Sequence, residues 1–193
     1  MADTRGRMVA AAVDALQRQG VAGMSFTDVL RDSGAARGAI YHHFPGGKAQ
    51  LVAEAAERNG ADVCAALAAL PAGDPVVVVT AFLAAVRPVL ATSMTGGGCA
   101  IAAITVGAGG RDLGTVDLRQ IAADIFASWS QALADLLESA GLPRAEAADL
   151  ATTLITLLEG AHIMCRAAGN LDPFERVART AVALVRGRHS AGA

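Results

Sequence analysis

A chain of 193 residues with 53% hydrophobic side chains has the length for one medium domain, or a small domain joined to a larger one, and for a sizeable core. Its formal charge of −2 excludes a strongly basic nucleic-acid coat but permits a local positive face: the first 58 residues hold seven basic and six acidic side chains, the remainder nine and twelve. Mean hydropathy is +0.42, yet no run of about 18 apolar residues free of charge is present, so no membrane span is expected.

The closest approach to such a run, residues 76–91, is interrupted by Arg87 and Pro88. The opening Met1-Ala2-Asp3-Thr4-Arg5 has no apolar signal core. Three cysteines, Cys64, Cys99 and Cys165, are widely spaced and odd in number. The expectation is a reduced, cytoplasmic protein.

The first helix is expected to begin near Thr4 as N-cap, with Met8, Val9, Ala12, Val13 and Leu16 forming one apolar stripe and Gly20 ending it. Ser25-Phe26-Thr27-Asp28 fits a capping box in its Ser-x-x-acid form and opens a short second helix that ends by Ser33. Gly34 supplies a tight turn. A third helix is expected from Ala36 to about Phe44, with Ala36, Ile40 and Phe44 inward and Arg37, Gly38, Ala39, Tyr41 and His42 outward. Two short helices joined by a glycine turn form the helix-turn-helix pattern. Pro45-Gly46-Gly47 ends the third helix, and Lys48 starts a fourth that runs to about Leu70.

Beyond residue 61, charge thins out and Ala, Leu and Val dominate. Asp74-Pro75 is an N-cap followed by proline, which outweighs the β-branched run at residues 76–79 and predicts a fifth helix to about Thr92, kinked at Pro88. Residues 99–106 form a short apolar helix between two glycine-rich stretches, the second spanning 107–114 with Arg111 and Asp112. Thr115 is expected to cap a long seventh helix reaching Gly141. The eighth runs from Pro143 to Gly169, and Leu171-Asp172-Pro173 repeats the cap-plus-proline start for a ninth that ends at Gly187 with a frayed tail.

The first 55–60 residues resemble the TetR family of bacterial transcriptional regulators. The residues that carry the resemblance are Thr4-Arg5, Ala11-Ala12, Leu16, Gly20, the Ser25–Leu30 segment, Gly34, and Arg37-Gly38-Ala39-Ile40-Tyr41-His42-His43-Phe44 followed by Lys48 and Leu51. More loosely, the Gly46-Gly47-Lys48, Gly98-Cys99 and Glu159-Gly160-Ala161 steps and the single tryptophan, Trp129, resemble the LmrA/YxaF-like group. Two positions depart from the pattern: Ala36 replaces the small polar residue that opens the third helix, and Ala39 replaces the polar residue after the glycine. An alanine there can meet a thymine methyl but donates no hydrogen bond.

The resemblance implies an all-α fold of about nine helices: a three-helix DNA-binding domain over residues 1–58 and a helical-bundle domain over 59–193 for ligand binding and dimerisation. It implies a homodimer on two-fold double-stranded operator DNA, joined through the eighth and ninth helices, and release by a small apolar effector. Arg37 is the leading base reader, since its fork matches guanine O6 and N7; a solvated arginine or a phosphate clamp is the alternative. Tyr41 is expected to donate its hydroxyl to a phosphate and His42 to meet a phosphate or a base edge, with Gly38 and Ala39 beside them. Tyr41 also fits a packing role at the helix edge. Lys48 lies at a helix N-terminus, where the dipole also draws phosphate. Ser25 and Thr27 are candidates for backbone phosphate contacts, although capping alone would account for them.

In the C-terminal part, Phe82, Met94, Cys99, Ile104, Trp129, Leu133, Leu158, His162 and Cys165 are candidates to line a ligand cavity; each is more commonly plain core. His162 and Cys165 have a spacing compatible with metal, but two ligands are too few, and no metal or cofactor is expected. With no nucleophile or acid–base arrangement, an enzyme is not expected either. The rival reading is a helical small-molecule-binding protein with weak or lost DNA binding, suggested by Ala36, Ala39 and the low net charge.

Overall fold

A computed structural model describes residues 3–107 and 116–191, and among them nine helices and no strand. They are α1 (Thr4–Gly23), α2 (Phe26–Ser33), α3 (Ala39–His43), α4 (Gly47–Ala68), α5 (Pro75–Ser93), α6 (Ala100–Gly107), α7 (Leu118–Ser139), α8 (Arg144–Ala168) and α9 (Asp172–Ala191). The expected Thr115 cap and most of the second glycine-rich stretch lie in residues 108–115, outside the described residues.

Two compact units form. The first comprises residues 1–62 with 98–126, the second 63–97 with 127–193. The first is wider than the 1–58 segment expected from sequence, because α6 lies along α1 and the first part of α7 joins it. Met8, Ala12 and Leu16 of α1 and Leu51, Val52, Ala55 and Ala56 of α4 are fully closed off. These are apolar residues at helical spacing, so each helix presents one continuous buried face. At Gly60 a Cβ would stand 3.0 Å from the Ile125 side chain, so α4 and α7 pack closely there and a larger residue requires Ile125 to shift.

In the second unit α5 packs against both α8 and α9, and α8 against α9. Asp74 caps α5 as expected, its Oδ1 accepting from Val77 N at 2.9 Å. By length and a hydropathy of 1.9, α5 has the composition of a membrane span. Its Val78, Val79, Phe82, Leu83, Val86 and Leu90 are nevertheless buried against protein, and it continues as helix through Pro88.

Local chemistry moves several expected boundaries. Asp3, not Thr4, caps α1, because its carboxylate accepts from both Arg5 N and Gly6 N. The chain leaves helical geometry at Gly20 (φ 68°, ψ −177°) as expected, then makes one further turn. The third helix does not begin at Ala36. The Ala39 N–H bonds Ala36 O at 2.9 Å in a turn, and no side chain there can cap, so α-helix begins only at Ala39. Asp172 is the first helical residue of α9 rather than its cap: Leu171 O accepts from Glu175 N, while Asn170 Oδ1 holds Asp172 N. Gly187 does not end α9, which keeps helical geometry to Ala191.

Candidate nucleic-acid interface

The site grows from one cap. Ser25 precedes α2 in extended conformation (φ −120°, ψ 151°), and its Oγ accepts from Asp28 N at 3.2 Å. The Asp28 carboxylate does not close the second half of a capping box onto the Ser25 N–H. It accepts instead from the Ser25 hydroxyl, 2.6 Å away. A hydroxyl has one proton to donate, and that of Ser25 is committed to Asp28. Thr27 is exposed on the next turn.

At the other end of α2, Gly34 adopts the left-handed conformation (φ 65°, ψ 25°), and its N–H caps the helix through Arg31 O. A side chain at that φ would be strained. This turn sends the chain back across α2 and lets Ile40 and Phe44 enter the core, where they are 1% and 0% exposed. With those two residues inward, Arg37, Gly38, Tyr41 and His42 face solvent, and Ala39 is half-exposed. Tyr41 is 70% exposed, yet its ring rests edge-on against Phe26, 6.0 Å between centroids. The His42 ring stacks edge-on with His43 at 5.0 Å, and His43 is half-buried beside Phe44. Lys48 is the second residue of α4.

Five cations in and around the helix-turn-helix fall into two groups. Arg31 is held by Asp28 and Asp32, each 2.8 Å away. These partners, first the Asp32 hydrogen bond, raise the Arg31 pKa further, and the same bond lowers that of Asp32. Arg5 pairs with Glu54, and Arg7 Nε donates to Ser33 O. Arg37 and Lys48 make no ion pair among the described residues, so their charge is available to an anionic partner. Arg31 has both partners within three residues of itself, whereas only the folded geometry separates Arg5 and Arg7 from Arg37 and Lys48. Phe26, Arg5, Glu54 and Gln50 were not among the expected site residues. Phe26 carried a detectable signal, since an aromatic at the first position of α2 stands out in a unit with few aromatics.

The expected ligand-lining residues are spread over both units. Cys99 and Ile104 belong to the first; Phe82, Met94, Trp129, Leu133, Leu158, His162 and Cys165 belong to the second. Phe82, Ile104, Trp129, Leu133 and Cys165 are buried, Cys99 and Leu158 half-buried, and Met94 is 42% exposed. His162 is buried against Ser93, a residue absent from the expected set. Three open grooves lie elsewhere among the described residues of the second unit. One of about 520 Å³ runs between α5 and α9, past Leu83, Arg179 and Val182. Two of about 360 and 220 Å³ run between α8 and α9, past Leu150, Thr153 and Leu184.

Comparison with known proteins bears on both units. Residues 8–55 match the family model described as bacterial regulatory proteins, tetR family. Residues 75–180 match the model for the C-terminal domain of LmrA/YxaF-like transcriptional regulators. An uncharacterised HTH-type transcriptional regulator of Mycobacterium tuberculosis is 34% identical over 183 residues, spanning 93% of this chain and 92% of that protein. The HTH-type transcriptional regulator LmrA of Bacillus subtilis is 25% identical over 173 residues, spanning 89% and 90%. A crystal structure of a TetR transcriptional regulator from Legionella pneumophila superposes with a TM-score of 0.77 at 20% identity, covering 94% of this chain and 96% of that one; at that identity the likeness is one of fold alone.

Proposed function

Because the chain belongs to the TetR family of transcriptional regulators, with an LmrA/YxaF-like C-terminal domain, we propose that it is a cytoplasmic repressor released from its operator by a small apolar molecule. It is a DNA-binding regulator of helix-turn-helix type, not an enzyme. The observation that carries the proposal is the outward face of residues 37–42: Arg37, Tyr41 and His42 stand in solvent on a segment anchored from behind by Ile40 and Phe44. Arg37 reads a base edge, Tyr41, His42 and Lys48 hold phosphates, and Gly38 and Ala39 let the backbone approach the groove. Thr27 adds a phosphate contact. Ser25 serves first as the cap of α2.

One short helix gives little affinity, and TetR regulators act as dimers on operator DNA. Here the dimer forms through α8 and α9. Supporting this, Ile163 and Met164 of α8 are 73% and 58% exposed and Leu184 of α9 is 61% exposed. The apolar α8–α9 grooves adjoin Leu184. Paired with the same helices of a second copy, this surface makes a four-helix bundle. The effector enters the C-terminal domain and favours a spacing of the two recognition segments that does not fit successive major grooves. By linkage, operator DNA weakens effector binding by the same factor.

The test is retardation of duplexes from the region upstream of the chain's own gene, at low salt, with the native protein and with Arg37→Ala. Retardation lost or weakened by the substitution is expected; no retardation of any fragment refutes the reading. The second reading, a small-molecule-binding protein with weak DNA affinity, is favoured by the internal engagement of Arg5, Arg7 and Arg31. A steep fall of DNA affinity with salt counts against it.

A further inference from the structure

Segment α3 is five residues long and has no side-chain N-cap. A helix that short does not hold itself in water, so its direction is imposed from outside. The structure shows what lies at its C-terminal end. Phe44, the residue that closes α3, is fully buried, and the Arg5 guanidinium of α1 sits over its ring, 5.5 Å from the centroid. The same guanidinium reaches Glu54 of α4, with Nη2 2.6 Å from Oε2. That oxygen is shut off from solvent and makes no aligned hydrogen bond, so the pairing is Coulombic. The other carboxylate oxygen accepts from Gln50 Nε2 at 2.9 Å, and Gln50 Oε1 accepts from Gly46 N at 2.8 Å. Gly46 is two residues beyond Phe44.

These contacts close a ring: Arg5, Glu54, Gln50, Gly46, then the backbone to Phe44, and back to Arg5. We infer that Arg5, Glu54 and Gln50 are positioning residues for DNA recognition, which fix where α3 ends and where α4 begins. The ring ties the turn carrying Lys48 to α1, so the recognition segment and the Lys48 ammonium keep one register. At the turn inside the motif Arg7, two residues further along α1, donates to Ser33 O at 3.0 Å and holds the exit of α2. Two arginines of α1 thus fasten the turn after α2 and the end of α3 from behind.

This inference rests on residues 37–42 being the DNA-reading segment. It also makes a prediction opposite in sign to simple electrostatics. Glu54 carries negative charge in a DNA-binding unit. If charge alone mattered, Glu54→Gln would tighten binding to any duplex. If Glu54 positions the recognition segment, Glu54→Gln weakens binding to the preferred sequence and leaves binding to other sequences little changed.

The probes are a duplex selected by the native protein from a random library and a scrambled duplex of the same composition, with affinities measured over a salt series. Glu54→Gln and Gln50→Ala are each expected to lower the selected-to-scrambled affinity ratio by about tenfold, roughly what one misplaced base contact forfeits. Arg5→Gln is expected to do the same with an unchanged salt slope, and Arg5→Lys, which keeps the ion pair, to restore most of the ratio. Circular dichroism melts identify any variant that does not fold; Gln50→Ala, half-exposed at the start of α4, then decides the matter. The inference is overturned if Glu54→Gln or Gln50→Ala leaves the ratio unchanged, or if Arg5→Gln lowers the salt slope by about 0.9, the signature of a lost phosphate contact. Failure of the native protein to select any duplex refutes the DNA-reading segment itself. Selection by the native chain, lost in Arg37→Ala but unaffected in the ring variants, refutes the ring alone.

Discussion

Ser93 Oγ lies 2.7 Å from His162 Nδ1, with both residues buried, so the last turn of α5 is tied to α8 by a hydrogen bond closed off from water. Burial first, and the nearby Arg166 charge second, lower the His162 pKa to about 4. Arg166 itself donates to Ser93 O at 3.3 Å and to the carbonyls of Gly96 and Gly97. The end of α5 is therefore clamped by a neutral imidazole and a guanidinium one helical turn apart.

The His162 pKa sets a pH dependence. Between the ordinary histidine value of 6.5 and about 4, the unfolded chain binds a proton at this site that the folded chain does not. Stability from this group is complete above pH 6.5, falls as pH drops towards 4, and is flat below it. The slope reaches at most about 1.4 kcal/mol per pH unit. Urea denaturation at pH 7.5 and 5.0 should therefore show a loss for the native protein that is absent in His162→Gln. An equal loss in both would remove His162 as its source.

Arg37 and Lys48 should separate by kind of contact. Arg37→Ala is expected to cost about 1–3 kcal/mol on the preferred sequence and to relax selectivity at one base pair. Lys48→Ala should weaken binding to all duplexes alike and reduce the salt slope by about 0.9. Binding isotherms across a salt series and a panel of single-base variants distinguish the two.

Leu184→Glu places a carboxylate on the exposed apolar rim of α9. If α8 and α9 form the dimer, sedimentation equilibrium should show a shift to monomer, and operator affinity should fall with it, because each half-site then binds alone. A variant that stays dimeric would move the interface elsewhere.

Gly34→Ala should destabilise the first unit by about 1–2 kcal/mol, since alanine at φ 65° meets its own carbonyl. A thermal melt checks this, and no loss of stability would mean the turn relaxes.

Whatever depends on neighbours within one helical turn is legible in the chain. Ser25 and Asp74 as caps, Gly34 and Gly169 as stops, and the apolar stripe of Met8, Ala12 and Leu16 are all local, because a cap or a face is set by residues three or four apart. Together with the motif spacing, these sufficed for an all-α chain with an N-terminal helix-turn-helix. Tertiary structure decided what depends on packing between distant segments. Ser93 and His162 meet across 69 residues, and Arg7 reaches Ser33 across 26. Such distances are fixed only once helices pack, so no pattern in the chain distinguishes the engaged Arg5 and Arg7 from the available Arg37 and Lys48, whereas Arg31 has both its partners, Asp28 and Asp32, within one helical turn. The same holds for α3. Its amphipathic pattern extends from Ala36, but with no capping side chain at that end, the fold makes a turn of residues 36–39 and leaves a five-residue helix held by its neighbours.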